Sequence, residues 1–96
     1  MEVSDQILLA RIAAGDRAAF AAFYDRHSGR VYGLILKLTR NAPEADDVLQ
    51  DTFYHVWTRA DQFDAARGTP LAWLILIARS RALDHMRRGK RRTSSI

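Results

Sequence analysis

Arginine and lysine crowd the end of this chain: between Arg67 and Ile96 there are eight of them against a single acid, Asp84. Cationic side chains at that density do one kind of chemistry well, which is to neutralise the phosphates of a nucleic-acid backbone. The preceding stretch, Asn41 to Ala66, is the reverse, with six acids (Glu44, Asp46, Asp47, Asp51, Asp61 and Asp64) against Arg59 alone. Counted in three segments, the chain carries +2, −5 and +7 within a net charge of +4. Opposite charges segregated on one small chain imply two partners of different chemistry.

Catalytic chemistry, by contrast, does not assemble. His27, His55 and His85 fall singly on three different predicted helices, without the His-Glu-x-x-His spacing of a zinc site, and each reads as a surface or packing histidine. Asp46 and Asp47 are adjacent, so they splay by about 100° around a helix, which suits the start of a helix better than a shared proton. The five glycines are dispersed and form no phosphate loop. There is no cysteine, hence no disulfide, thiolate nucleophile or cysteine-based zinc site. The expectation is a protein that is not an enzyme and needs no metal or cofactor.

With 96 residues of which 48% are apolar, the chain can bury one modest core. Met1-Glu-Val-Ser-Asp lacks the basic and then apolar order of a signal peptide. No run approaches the ~20 apolar residues that span a bilayer. A soluble, cytoplasmic domain without membrane insertion is expected.

The elements that must position the charges are helices. Ser4 can cap a first helix with Ile7, Leu8 and Ile12 at helical spacing, ended by Gly15. Asp16 caps a second, from Arg17 to about Arg40, whose apolar side carries Phe20, Phe23, Tyr24, Val31, Leu34, Ile35 and Leu38. Gly29 and Gly33, one turn apart on it, predict a close helix-helix approach or a local bend. Asn41-Ala42-Pro43 breaks the chain, and Pro43 suits the first turn of a third helix with Val48, Leu49, Phe53, Val56 and Trp57 as its stripe, ending near Ala60. Gln62 to Gly68 reads as a loop. Thr69-Pro70 then caps and starts a fourth helix to about Arg88, apolar at Leu71, Leu74, Ile77, Ala78 and Ala82. No strand alternation or repeat competes, so the fold expected is all-α, a compact bundle of about four helices over residues 1–88 with a basic linker or tail at 89–96.

Three stretches resemble region 2 of bacterial RNA polymerase sigma factors, of the small extracytoplasmic-function (ECF) group. Gly15-Asp16-Arg17-Ala18-Ala19-Phe20 leading into Phe23-Tyr24-Asp25-Arg26 is similar to that family's opening helix pair. Ala45-Asp46-Asp47-Val48-Leu49-Gln50-Asp51-Thr52-Phe53-Tyr54-His55-Val56-Trp57 resembles its region 2.2 helix, with an acidic pair, an apolar pair, Gln, an acid and an aromatic in that order. Phe63 through Gly68, Ala72-Trp73-Leu74, and Ile77 through Asp84 ending in Arg87-Arg88 resemble regions 2.3 and 2.4. Their order and spacing over nearly the whole chain make the match specific.

The resemblance implies a transcription initiation factor that binds the clamp helices of the RNA polymerase β′ subunit and recognises and melts the promoter minus-ten element. It places polymerase contacts at Asp47, Gln50, Asp51, Phe53 and Trp57; Phe53 and Trp57, four apart, equally suit a core stripe, whereas core packing has no use for Asp51. It gives Phe63, Asp64 and Arg67 to a pocket for an extruded base of the single-stranded non-template strand. Trp73 either shelves a base or joins the core. Arg79 and Ser80 fall where bases are read, and Arg81, Arg87, Arg88, Lys90, Arg91 and Arg92 where phosphates are held. An anti-sigma factor is a further implied partner. Members of the family continue into a second helical domain that reads the minus-thirty-five element, so a chain stopping at Ile96 is expected to be a fragment of a longer protein. Two other readings stay open. One is a stand-alone DNA-binding module of helix-turn-helix type, disfavoured by a loop rather than a tight turn before the fourth helix. The other is a bundle that binds only proteins.

Overall fold

A computed structural model describes residues 2–94, with side chains to Gly89. Helices α1 (Asp5–Ala13), α2 (Arg17–Thr39), α3 (Ala42–Arg59) and α4 (Pro70–Ser94) make an all-α bundle; two single 3₁₀ turns, Ala60–Gln62 and Ala65–Arg67, occupy the expected loop. The described residues contain no strand.

Each helix starts where a short polar side chain satisfies an orphan backbone N–H three residues on. Ser4 Oγ accepts from Ile7 at 3.3 Å, Asp16 Oδ1 from Ala19 at 3.1 Å, Asn41 Oδ1 from Glu44 at 2.9 Å and Thr69 Oγ1 from Ala72 at 3.1 Å. Caps of this kind are worth about 1 kcal/mol each. Asn41, read as part of a breaker, is thus also the cap of α3. Arg40 closes α2 in the left-handed region, φ 54°, with its N–H on the Leu36 carbonyl. The fourth helix does not stop at Arg88, since Gly89 lies within it.

The core is assembled from one stripe of each helix: Leu8, Leu9 and Ile12; Phe23, Val31 and Ile35; Val48, Phe53 and Val56; Leu74, Ala78 and Ala82. Tyr24, expected on the buried side of α2, is 37% exposed, with its ring edge-on to Phe53 at 4.7 Å. The inward position one turn beyond Phe23 goes instead to His27, 8% exposed and 4.8 Å from the Phe23 ring. Gly29 and Gly33 are exposed, and a β-carbon added at either would touch nothing within 4 Å, so no close helix approach occurs there. They sit on the exposed side of α2.

A polar clasp fastens α1 to α2. Arg26 donates to the Val3 carbonyl and to Asp5 Oδ1, both at 2.8 Å, and His27 Nε2 lies 2.9 Å from Asp5 Oδ2. Burial alone would raise the Asp5 carboxyl, but the hydrogen bonds and charges of His27 and Arg26 outweigh it and hold the group below its ordinary value of 3.8. A depressed carboxylate contributes stability that is complete above the ordinary value and is lost as pH falls through the lowered one. Asp5→Ala is expected to lower stability by about 1–2 kcal/mol in urea unfolding at neutral pH, with the difference from the parent shrinking under acid as the parent's carboxylate is protonated.

Candidate interfaces on the third and fourth helices

The loop between α3 and α4 is shaped by its own side chains. Asp64 Oδ1 accepts from the Ala66 N–H at 3.0 Å, the Arg67 N–H reaches the Asp64 carbonyl at 3.0 Å, and Gly68 sits at φ 148°, a conformation open to glycine. Against the first turns of α4 this loop leaves an open hollow of about 520 Å³ lined by Gln62, Phe63, Asp64, Arg67, Gly68, Thr69, Ala72, Trp73 and Leu76. Phe63 and Trp73 meet edge to face, 5.8 Å between centroids at 66°. Both rings are half-buried, so each packs against the core while lining the hollow. Trp73 therefore joins the core along one side and presents its other side to the hollow. The hollow offers aromatic surface, a carboxylate and a guanidinium, which is the equipment for stacking on and hydrogen-bonding to a planar heterocycle.

Along α4 the expected basic residues differ in circumstance. Arg79, Ser80 and Arg88 are exposed, and Arg87 is exposed but ion-paired with Asp84 one turn back. Arg81 is half-buried, with Nη2 2.9 Å from Nδ1 of His55 on α3. Lys90, Arg91 and Arg92 lie outside the residues whose side chains are described. Exposed Leu76 at 68%, Leu83 and Met86 interleave with the arginines.

On α3, Asp47 and Gln50 are exposed. Asp51 is half-exposed at its side chain, with Oδ2 2.7 Å from Nε2 of His85 on α4, so its carboxylate also serves packing between helices. Phe53 does not belong on a contact surface: it is 3% exposed, closed in by the rings of Phe20, Phe23 and Tyr24. Trp57 is half-buried against Phe20, centroids 5.4 Å apart. Beside it, Tyr54 is 67% exposed, and Tyr54, Trp57, Phe20 and Arg17 border a second, shallower hollow of about 400 Å³. Sequence reasoning passed over Tyr54, although its place one turn before Thr58 and one turn after Gln50 puts it on the same side as the acids.

His55 and His85, scattered in sequence, are brought into one seam. A guanidinium can only donate, so Nδ1 of His55 must carry a lone pair and the ring is neutral with its proton on Nε2. Burial, and then the charges of Arg81 and Arg59, push the His55 pKa below its ordinary 6.5, in agreement with that assignment. One turn back along α3 from His55 is Asp51, and one turn on along α4 from Arg81 is His85, so the two contacts repeat at an antiparallel register.

Fold and sites together define a class. The sigma-70 region 2 family model matches residues 23–92. The chain belongs to that family, whose members are non-enzymatic transcription initiation factors. It is 44% identical over 80 residues, 83% of its length, to the ECF RNA polymerase sigma factor SigK of Mycobacterium tuberculosis and of Mycobacterium bovis. To the factor of that name from Mycobacterium ulcerans it is 45% identical over the same span. The aligned part is 43% of those relatives' length, so the chain spans less than half of them. Among the described residues no helix is long and apolar enough to cross a membrane.

Gly68→Ala tests the loop. A β-carbon there meets nothing within 4 Å, so the cost is backbone strain alone, about 1–3 kcal/mol. Urea unfolding measures it, and amide protection in the loop is expected to fall more than in α2.

Proposed function

We propose that this chain is the part of an ECF sigma factor that docks on the RNA polymerase β′ clamp helices through α3 and captures an extruded base of the promoter minus-ten element between the loop and α4. The single observation that carries the reading is the hollow of about 520 Å³ walled by Phe63 and Trp73 at the root of a basic helix. Unstacking a base costs a few kcal/mol, and aromatic stacking returns about 1–3 kcal/mol per base, so a pocket that adds hydrogen bonds from Asp64 and Arg67 tips the balance toward the open strand. Arg79 and Ser80 stand where bases of the strand would be read, and Arg88 where its phosphates would lie, with Arg87 shared between phosphate and Asp84.

Asp47, Gln50 and Asp51 form the polymerase face. Acids and an amide on an exposed helix suit arginines of a partner coiled coil, and the free edge of Trp57 supplies an apolar anchor. Such a factor works in the cytoplasm, with a domain over residues 1–88 and a basic lead-out at 89–96. An anti-sigma factor, the third implied partner, would find Leu76, Leu83 and Met86 as apolar ground among the arginines.

Binding to an isolated β′ clamp-helix fragment tests the docking. Because Asp51 also holds His85, Asp51→Arg is paired with Asp47→Arg, which leaves that contact alone. Both are expected to weaken binding at least tenfold, about 1.4 kcal/mol, with unchanged helical circular dichroism. A folded parent that ignores the fragment would remove the docking reading and favour a stand-alone DNA module. For the DNA face, Arg88→Ala is expected to weaken single-stranded DNA binding by the polymerase complex uniformly across sequences and to reduce the salt slope by about one, whereas Arg79→Ala changes sequence preference.

A further inference from the structure

Behind the loop hollow, side chains from both helices and the loop form a continuous file. His55 on α3 receives Arg81 of α4 on Nδ1 at 2.9 Å. Its ring faces that of Trp73, 6.2 Å between centroids at 58°, and Trp73 in turn faces Phe63 at 5.8 Å. His55 does not line the hollow. It touches the indole that walls it on one side and a guanidinium of the basic helix on the other. Resting on the base-capture reading above, we propose that His55 is a positioning residue for the DNA strand: its neutral ring sets the indole of Trp73 and the guanidinium of Arg81, and protonation releases Arg81 and resets the contact with Trp73.

The chemistry follows from the donors. An imidazolium has no lone pair, so the bond from Arg81 exists only with the neutral ring. The charged groups around His55 are Arg81 from α4 and Arg59 on its own helix, both cationic. One turn away, the carboxylate of Asp51 has its Oδ2 engaged by His85. A proton on His55 thus adds a third cation to two, and Arg81 must swing away. In a protein that binds DNA, adding positive charge ordinarily strengthens binding. Here the same event breaks the Arg81 bond behind the pocket wall and shifts the indole that forms it, so acidification acts against the general electrostatic trend.

His55→Gln separates the two, because an amide oxygen accepts from Arg81 without titrating. With the chain bound to RNA polymerase core, affinity for a fluorescent random-sequence single-stranded DNA is measured from about pH 8 down to about pH 5.5. The parent is expected to lose affinity several-fold on acidification; His55→Gln is expected to keep it or gain slightly; His55→Ala is expected to be weaker at every pH. In the free chain, the His55 imidazole resonance is expected to titrate below the ordinary histidine range, with the Trp73 indole N–H resonance moving at the same midpoint. Arg81→Gln should raise that midpoint. A parent whose affinity falls no more than that of His55→Gln, or a Trp73 resonance indifferent to the His55 midpoint, overturns the positioning role. Failure of the complex to bind the oligonucleotide at any pH overturns base capture itself, and the free-chain titration then still decides whether His55 sets Trp73.

Discussion

The packing of α4 against α3 is the constraint on which the rest depends. Residues 78 and 82 of α4, both alanines and both fully buried, put almost no side chain between that helix and its neighbours. Small residues at a helix interface let backbones come close, which brings the rims of the two helices within reach of ordinary polar side chains. Asp51 with His85 and His55 with Arg81 bridge α3 and α4. The indole of Trp73, which lines the hollow, has the ring of His55 on α3 beside it.

Two oppositely charged surfaces on so small a bundle raise a question of self-attraction, and the fold answers it by pairing. Asp51 is taken by His85, Asp84 by Arg87, and Asp5 by Arg26 and His27. These pairs each consume one charge locally. Exposed pairs add little stability. Their effect is on which charges remain to meet a partner: Asp47 on α3, and Arg79 and Arg88 on α4, stay exposed.

The helices were legible in the sequence because their punctuation is chemical. Ser4, Asp16 and Thr69 announce caps, and Pro43 and Pro70 announce first turns, whatever the tertiary context. The family resemblance named Phe63, Asp64, Arg67 and Trp73 together, and these four do line one hollow. What stayed hidden was everything that depends on register between helices. Nothing in the separation of His55 from Arg81, or of Asp51 from His85, tells which turn of α3 faces which turn of α4; only packing decides it. Phe53 illustrates the opposite error. Periodicity placed it correctly on the buried stripe, and the family pattern drew it outward to a surface that Phe20, Phe23 and Tyr24 deny it.

Thr69 and Pro70 fix the start of α4 at the edge of the hollow, and the helix leaves from there without interruption to Ser94. At 1.5 Å per residue it is a rod of about 37 Å. A rotation of about 5° at its root carries the far end through about 3 Å, nearly a hydrogen bond's length. Any tilt of α4 at the hollow is therefore magnified along its length: the fourth helix is a lever whose short arm borders the hollow.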